Sequence, residues 1–148
     1  MNPNVKLNEK LAILATLDPA SVAPGTVLTS WVHVSEVNNV MALVQTGVLG
    51  TAATVDAKMQ QATSSAGAGA KDITGKAITQ LTQAADDNKQ VTIEVTQNDL
   101  DMANGFEYVA LSVTVGAAAS IVGAALIGGN PRYAPTTSLN QAAVVQVV

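Results

Sequence analysis

The sequence contains no cysteine, and this absence excludes three kinds of chemistry. Disulfide bonds, thiolate metal sites and cysteine nucleophiles all need the missing side chain. Packing or assembly must therefore stabilise this 15.0 kDa chain. A cysteine-free chain fits synthesis in the reducing cytoplasm of a cell.

Charged residues are scarce. They make up 12% of the 148 residues, about half of the ~25% that is usual in soluble domains. A folded monomer of this mass exposes roughly 7,000 Å² of surface. The seven basic and eleven acidic side chains cannot cover it, so small polar residues or a partner must do so.

The composition also excludes two broad classes of protein. A mean hydropathy of +0.29 with a net charge of only −4 is not the pattern of a disordered chain. The pI is about 4.6, and the basic residues form no stripe that would neutralise phosphates. We therefore expect no direct binding to nucleic acid.

Two apolar stretches bear on membrane targeting. Residues 109–129 are long enough for a membrane helix, but their first half alternates apolar and small polar residues, which is typical of a half-buried strand. Residues 11–17 follow two lysines and resemble a weak signal peptide, but asparagines and a glutamate dilute the start. We expect no membrane span and no secretion signal.

The alternation of apolar and polar residues, with turn-forming residues between the runs, predicts strands along the whole chain. About eight are expected, at residues 11–17, 26–35, 39–49, 51–63, 71–81, 90–96, 106–115 and 117–127. The last two strands are expected to pair as neighbours across a tight turn. A helix is compatible with the sequence only at 77–85 or 98–104, and either would be short. The predicted fold class is all-β: a single-domain β-sandwich, jelly-roll-like, with extended N- and C-terminal arms.

The two ends of the chain differ from its middle. We divide the sequence into an N-terminal arm (1–10), a β-sandwich body (11–129) and a C-terminal arm (130–148), because Pro131 and Pro135 resist a central strand. The C-terminal arm finishes with four valines, and each gains roughly 1.5–3 kcal/mol when it is fully buried. These valines and one tyrosine are the residues that we expect to contact a partner: Val144, Val145, Val147, Val148 and Tyr133.

No catalytic site is predicted. His33 is the sole histidine, and no Gly-x-Ser-x-Gly elbow accompanies a serine, so a Ser-His-Asp triad would have to pass through His33. The position of His33 in an alternating run beside Trp31 favours a partly buried residue of a strand over a general base. We expect no enzyme activity.

No cofactor or metal site is predicted either. Asp99 and Asp101 faintly resemble a calcium loop, but Ala103 and Ala110 stand where ligands belong, so a turn is favoured. Residues 67–71 are rich in glycine but lack the Gly-Lys-Ser/Thr ending of a phosphate-binding loop. We interpret them as a flexible connection.

Two segments carry a resemblance to a known class of protein. The first runs from Thr54-Val55-Asp56-Ala57-Lys58-Met59-Gln60-Gln61-Ala62-Thr63 through a Gly/Ser loop to Lys71-Asp72-Ile73-Thr74-Gly75-Lys76-Ala77-Ile78-Thr79-Gln80-Leu81. It resembles small virion proteins encoded among the head genes of tailed bacteriophages, in which a strand of the type Asp-Ala-Lys-x-Gln leads through a loop to Asp-Ile. Residues 106–135, with the closing Arg-Tyr-x-Pro, are similar more weakly.

This resemblance implies a capsid cement or decoration protein with a jelly-roll-like body. Such proteins bind across seams between major capsid proteins and reinforce the shell, and they have no active site. The implied partners are the major capsid protein and further copies of the chain, as a homodimer or trimer. The implied location is the capsid surface of a virion, after synthesis in the host cytoplasm.

Two alternatives stay open on the sequence. The chain could be another virion component, in the neck, tail or head fibre, because such proteins share its β-rich, weakly charged composition. It could also be a β-sandwich that binds glycans or cell surfaces. That function needs exposed aromatic platforms, and three of the four aromatic residues fall in predicted strands, where we expect them in the core: Trp31, Phe106 and Tyr108.

Overall fold

The computed structural model describes residues 4–148, which form an all-β chain. The strands are β1 Leu11–Val22, β2 Gly25–Leu28, β3 Val32–His33, β4 Val37–Thr46, β5 Thr54–Ala62, β6 Lys71–Ala77, β7 Leu81–Thr82, β8 Gln90–Thr96, β9 Tyr108–Gly116 and β10 Ser120–Pro131. Short 3-10 turns occur at Leu7–Glu9, Gln97–Asp99, Met102–Asn104 and Thr136–Leu139. Within the described range there is no helix with the length and apolarity to cross a membrane.

The strands form two antiparallel sheets that enclose one core. The first sheet has the order β1-β10-β4-β8. The second has the order β2-β9-β5-β6, with β3 beside β9 and β7 beside β5. If β2 with β3 and β6 with β7 each count as one interrupted strand, the eight strands follow the orders 1-8-3-6 and 2-7-4-5. This is the jelly-roll arrangement, so the predicted fold class is confirmed.

The alternation within β9 shows how the sequence builds the core. Val109, Leu111, Val113 and Val115 point inward and are at most 1% exposed, while the residues between them lie on the other side of the sheet, where Ala110 and Ser112 are also buried. Strands β4 and β10 of the other sheet add their own inward side chains to the same cluster. Each buried aliphatic side chain contributes roughly 1.5–3 kcal/mol, so these alternating strands supply much of the stability.

The aromatic residues do not lie in this core, contrary to the expectation from the sequence. Trp31, Phe106 and Tyr108 are each only half-buried. They stand just before β3, just before β9 and at the first residue of β9, where the strands end and the sandwich no longer encloses them. The largest fully buried side chains are instead Met59, Leu111 and Leu126, with valines around them.

The expected pairing of the last two strands is wrong, although both strands exist. Strand β9 lies between β2 and β5 in one sheet, and β10 lies between β1 and β4 in the other. Residues 117–119 carry the chain across, with Ala117 in the left-handed region (φ 65°). Because both edges of each strand are already occupied, β9 and β10 cannot pair with each other.

The predicted strand at 26–35 is interrupted because a side chain replaces the backbone in the ladder. Thr29 lies between β2 and β3, and its backbone N–H donates to Leu111 O (3.0 Å). The Leu111 N–H donates in turn to the Thr29 hydroxyl (3.0 Å) rather than to a carbonyl. The strand therefore breaks at Thr29 and resumes at Val32.

Strand β1 is longer than predicted. It runs to Val22, beyond the predicted end at Leu17, and includes Pro19. The register with β10 shifts between Leu17 and Ala20, so the proline falls in a bulge. A proline is tolerated there because β1 is an edge strand and the bulge needs no ladder bond from residue 19.

Candidate interaction surface

The outer surface of the first sheet is apolar over much of its area. Ile13 lies opposite Ile127, Ile127 lies opposite Met41, and one row further Ala125 lies opposite Leu43. Ile13, Met41 and Ile121 are 37%, 36% and 45% exposed. We call this surface the apolar face: Ile13, Met41, Leu43, Ile121, Ala125 and Ile127.

Polar residues limit the apolar face on the side of β8. Glu94 lies opposite Met41, and Thr92 lies opposite Leu43. A rim of polar side chains around an apolar centre is typical of protein interaction surfaces. The face is therefore built like a contact surface rather than like an ordinary solvated sheet.

The outer surface of the second sheet is polar. Asp72 on β6 accepts hydrogen bonds from Lys58 Nζ (2.8 Å) and Gln60 Nε2 (2.7 Å) on β5. Gln80 bonds Asp56, and the hydroxyls of Thr26 and Thr114 lie 2.8 Å apart. The side chains on this surface satisfy one another, so we call it the polar face.

The carboxylate of Asp72 is the centre of that network. Its hydrogen bond with Lys58 is the largest influence, followed by that with Gln60, and together they hold its pKa below the usual range. These three residues lie on β5 and β6, on either side of the glycine-rich loop. Their spacing is explained by a cross-strand contact between β5 and β6.

The C-terminal segment is attached to β1 of its own chain. Thr136 is fully buried, and its hydroxyl lies 2.8 Å from Leu11 O and 3.0 Å from Asn8 O. The Ile13 N–H donates to Asn140 Oδ1 (2.7 Å), and the Gln141 N–H donates to Ile13 O (2.8 Å). Residues 136–141 thus cover the first half of the outer edge of β1, from Leu11 to Thr16.

Three of the four C-terminal valines extend the apolar face beyond that edge. Val144, Val147 and Val148 line a groove of about 610 Å³ whose other walls include Leu7, Ile13 and Ile127. Val145 and Val148 are 94% and 97% exposed. Three of the four predicted contact valines thus lie beside the apolar face, whereas Val145 does not line the groove.

Tyr133 is also exposed, at 77%, but it does not line the groove. The structure therefore does not bring it together with the other predicted contact residues. Among the aromatic residues it alone offers an open ring, because the other candidates are covered by the chain itself. Lys71 Nζ stands 3.9 Å from the centre of the Phe106 ring, and Gly67 packs on Trp31.

His33 takes part in a hydrogen-bonded cluster that sequence reasoning missed. Its Nδ1 lies 2.6 Å from Ser35 Oγ, and its Nε2 lies 3.0 Å from Glu107 Oε2. A serine, an imidazole and a carboxylate in line are the groups of a nucleophile, a base and an orienting acid. Here the Ser35 N–H also donates to Nδ1 (3.2 Å), and the ring packs edge-on against Tyr108. We assign the cluster to holding the bend at residues 33–36 onto β9.

The acidic residues that resemble a calcium loop are engaged with protein donors. Asp99 accepts hydrogen bonds from Thr96 N and Lys76 Nζ, and Asp101 accepts one from Lys71 Nζ. The Thr96 backbone bond lowers the pKa of Asp99 most, and the Lys71 bond lowers that of Asp101 most. Across residues 4–148 no cluster of acidic and histidine side chains has the arrangement of a metal site.

The glycine-rich loop does not present free amides to an anion. The Ser64 hydroxyl accepts hydrogen bonds from Ala66 N and Ala68 N, both at 3.2 Å. A phosphate-binding loop needs such amides to point at the ligand. The loop instead closes on itself and covers Trp31.

The apolar face was missed from the sequence, but a signal for it exists. In β10, both the inward and the outward positions carry small or apolar residues, as Ile121, Val122, Ala124 and Ala125 show. A strand with only one buried face alternates apolar with polar residues. Apolar residues at the outward positions of β10 are therefore the signal that could have predicted the apolar face.

No known family model matches the sequence, and no curated protein is similar to it. Two solved structures have a backbone that resembles that of this chain. One is a chain of Desmodium yellow mottle tymovirus, which is 10% identical with a TM-score of 0.44 over 90% of this chain and 94% of that chain. The other comes from an empty virus-like particle of Cowpea Mosaic Virus, 8% identical with a TM-score of 0.43 over 90% of this chain and 86% of that chain.

Proposed function

We propose that this chain is a structural virion protein that binds and reinforces a capsid shell, as a cement or decoration protein of a tailed phage. The observation that carries the proposal is the contrast between the two outer surfaces of the sandwich. One surface is apolar and uncovered, whereas the other is polar and internally hydrogen-bonded. A protein that lies flat on a shell needs one adhesive side and one solvated side.

The apolar face with the C-terminal valines is the surface that binds the shell in this proposal. Burial of its exposed aliphatic side chains supplies the driving force, at roughly 25 cal/mol per Å² of apolar area. The polar face then points outward. The low charge of the chain fits the same arrangement, because much of its surface is covered once it is bound.

The resemblance of residues 54–81 to phage head proteins supports a capsid, with the major capsid protein as the binding partner. The location proposed is accordingly the capsid surface. The function requires neither a cofactor nor an enzymatic step. It requires only many copies, whose repeated contacts strengthen binding to a symmetric shell.

A matched pair of substitutions tests whether the apolar face binds the shell. Ile121 on the apolar face is 45% exposed, and Leu28 on the polar face is 43% exposed. Ile121→Asp places an unpaired carboxylate in the contact, and we expect it to weaken binding to empty phage heads by about tenfold or more. Leu28→Asp makes the same change on the solvated side and should bind like the wild type.

The readouts are co-sedimentation with heads and the temperature at which the heads open. Wild-type protein should raise that temperature in the presence of a chelator. Heads that open at the same temperature with and without the protein would contradict a cement function. If Ile121→Asp binds as well as Leu28→Asp, the assignment of the face is wrong.

Electron microscopy of labelled protein separates this proposal from the neck or tail alternative. A cement protein decorates all capsid faces, whereas a neck or tail component is confined to one vertex. Label at a single vertex would overturn the cement proposal.

A further inference from the structure

The two sheets have four edges, and three of them are protected against pairing with another strand. Strand β1 carries bulges, and residues 136–141 cover its first half. Strands β2 and β3 are only four and two residues long. Strand β6 shifts register against β5 and carries two lysines. Short, bulged, covered or lysine-bearing edges resist edge-to-edge association.

Strand β8 has none of these protections. Its seven residues pair with β4 in an unbroken register from Thr96 opposite Asn39 to Gln90 opposite Gln45. Five of the seven are β-branched, and the strand has no lysine, proline or glycine. Within residues 4–148, no strand pairs with its other side.

The direction of the β8 backbone groups follows from one bond at the end of the strand. The Thr46 N–H donates to Lys89 O (2.9 Å), which makes these two residues a hydrogen-bonded pair. Because such pairs recur at every second residue, Val91, Ile93 and Val95 bond to β4. The backbone groups of Gln90, Thr92 and Glu94 then point to the open edge. Thr96 points the same way, but its N–H already donates to Asp99 (2.8 Å).

We propose that two copies of this chain pair through β8, antiparallel, to form one continuous eight-stranded sheet. Thr92 of one copy lies opposite Thr92 of the other, and Gln90 lies opposite Glu94. Threonine pairs stabilise antiparallel strands, and the Gln90 amide can donate to the Glu94 carboxylate. A register centred on Ile93 would instead place Gln90 opposite Thr96, whose N–H is already occupied.

A groove beside β8 accepts the side chains of the added strand. It has a volume of about 570 Å³ and runs between β8 and residues 75–81, with Ile78, Leu81 and Ile93 in its walls. In the proposed register, Val91 of one copy lies opposite Ile93 of the other, so both side chains point toward the groove. Backbone hydrogen bonds together with pockets for alternate side chains are the two elements of strand addition.

A second copy fits this edge better than an unrelated strand, because β8 is complementary to itself. It presents no like charges directly opposite each other, and it brings its own apolar residues to both copies of the groove. Pairing also joins two apolar faces side by side. The inference goes beyond the proposed function, since it concerns contact between copies and needs no shell.

The absence of cysteine allows a direct test by cross-linking. The Cα atoms of a hydrogen-bonded antiparallel pair lie about 5.5 Å apart, within the ~4.4–6.8 Å that a disulfide spans. Purified Thr92→Cys should form a covalent dimer under mild oxidation. Thr74→Cys, which places the thiol on an exposed residue of the protected edge strand β6, is the matched control and should form few dimers.

A second variant tests the noncovalent dimer by sedimentation velocity over a range of concentrations. Thr92→Lys places two like charges opposite each other and should raise the dimer dissociation constant by about tenfold. Thr74→Lys should leave it unchanged, and thermal melts verify that each variant is folded. The proposal is overturned if Thr92→Cys cross-links no faster than Thr74→Cys, or if the wild type is monomeric at about 0.1 mM. Either result would leave the shell-binding proposal untouched.

Discussion

Gly67 packs directly against the indole of Trp31. A Cβ added at Gly67 would stand 2.6 Å from Trp31 Nε1, and the residue has a φ of +78°. We therefore expect Gly67→Ala to destabilise the protein in two ways, through the left-handed backbone and through the clash. The measurement is urea unfolding followed by the fluorescence of Trp31, the sole tryptophan.

Gly105 provides the matched control for this prediction. It has the same φ of +78°, but nothing lies within 4 Å of an added Cβ. Gly105→Ala should cost only the backbone strain of about 1–2 kcal/mol. Gly67→Ala should cost a further ~1–3 kcal/mol from overpacking. Equal losses in the two variants would show that the Trp31 contact is unimportant.

We expect the buried hydroxyl of Thr136 to contribute more to the stability of the folded protein than the exposed hydroxyl of Thr137. Thr136→Val keeps the shape but leaves the Leu11 and Asn8 carbonyls without this donor, which costs about 1–3 kcal/mol. Thr137→Val changes an exposed residue and should stay within about 0.5 kcal/mol of the wild type. Chemical denaturation measures both, and a Thr136→Val variant as stable as Thr137→Val would contradict the anchoring role.

Stability should fall in acid, in part through Asp99. Its hydrogen bond from the Thr96 backbone, and then Lys76, hold its pKa below the ordinary value. The folded state thus binds fewer protons than the unfolded state near pH 4. Asp99 therefore contributes stability above the unfolded pKa of ~3.9, and this contribution is lost as the pH falls through the lowered folded pKa.

The corresponding variant is Asp99→Asn. At pH 7 it should be less stable than the wild type by about 1 kcal/mol, which is the usual cost of losing a capping side chain. Below pH 4 its stability should decline less steeply than that of the wild type. Asp18→Asn, at an exposed residue with one long contact to Thr16 (3.3 Å), should change the stability at pH 7 by less than about 0.5 kcal/mol. An unaltered acid profile in Asp99→Asn would refute this role.

The rates of methionine oxidation show which surface of the protein is covered when it binds to heads. Met41 on the apolar face and Met102 on a 3-10 turn are 36% and 37% exposed, whereas Met59 is fully buried. In the free protein, peroxide should oxidise Met41 and Met102 at similar rates and Met59 much more slowly. When the protein is bound to heads, Met41 oxidation should slow by about tenfold while Met102 is unaffected. Mass spectrometry of peptides measures the rates, and equal protection of both methionines would contradict binding through the apolar face.

Local patterns predicted the strands well. The alternation of valines with small residues in β9 is a property of neighbouring residues, and strand β8 has the predicted bounds of residues 90–96. The break at Thr29 could not be predicted, because it depends on a hydroxyl that meets Leu111, far away in the chain. The long course of β1 through Pro19 likewise depends on β1 lying at a sheet edge.

Which strands pair could not be predicted from the sequence either, because pairing also depends on contacts between distant parts of the chain. Residues 109–127 suggest two neighbouring strands in one sheet, and only the positions of β1, β2, β4 and β5 show why they separate. The C-terminal valines stand out in the composition and their contact with a partner stays a prediction, whereas the apolar face and the open β8 edge became visible only with the register. The division of the chain into 1–10, 11–129 and 130–148 stays a prediction, although β10 continues to Pro131.

The central position of β10 has a consequence for how the chain is made. β10 fills the space between β1 and β4, yet it follows all the other described strands in the chain. Until residues 120–131 emerge from the ribosome, the facing edges of β1 and β4 are open and the first sheet cannot close. Folding must wait for contacts between distant parts of the chain, which makes it slow and leaves the nascent chain prone to aggregation.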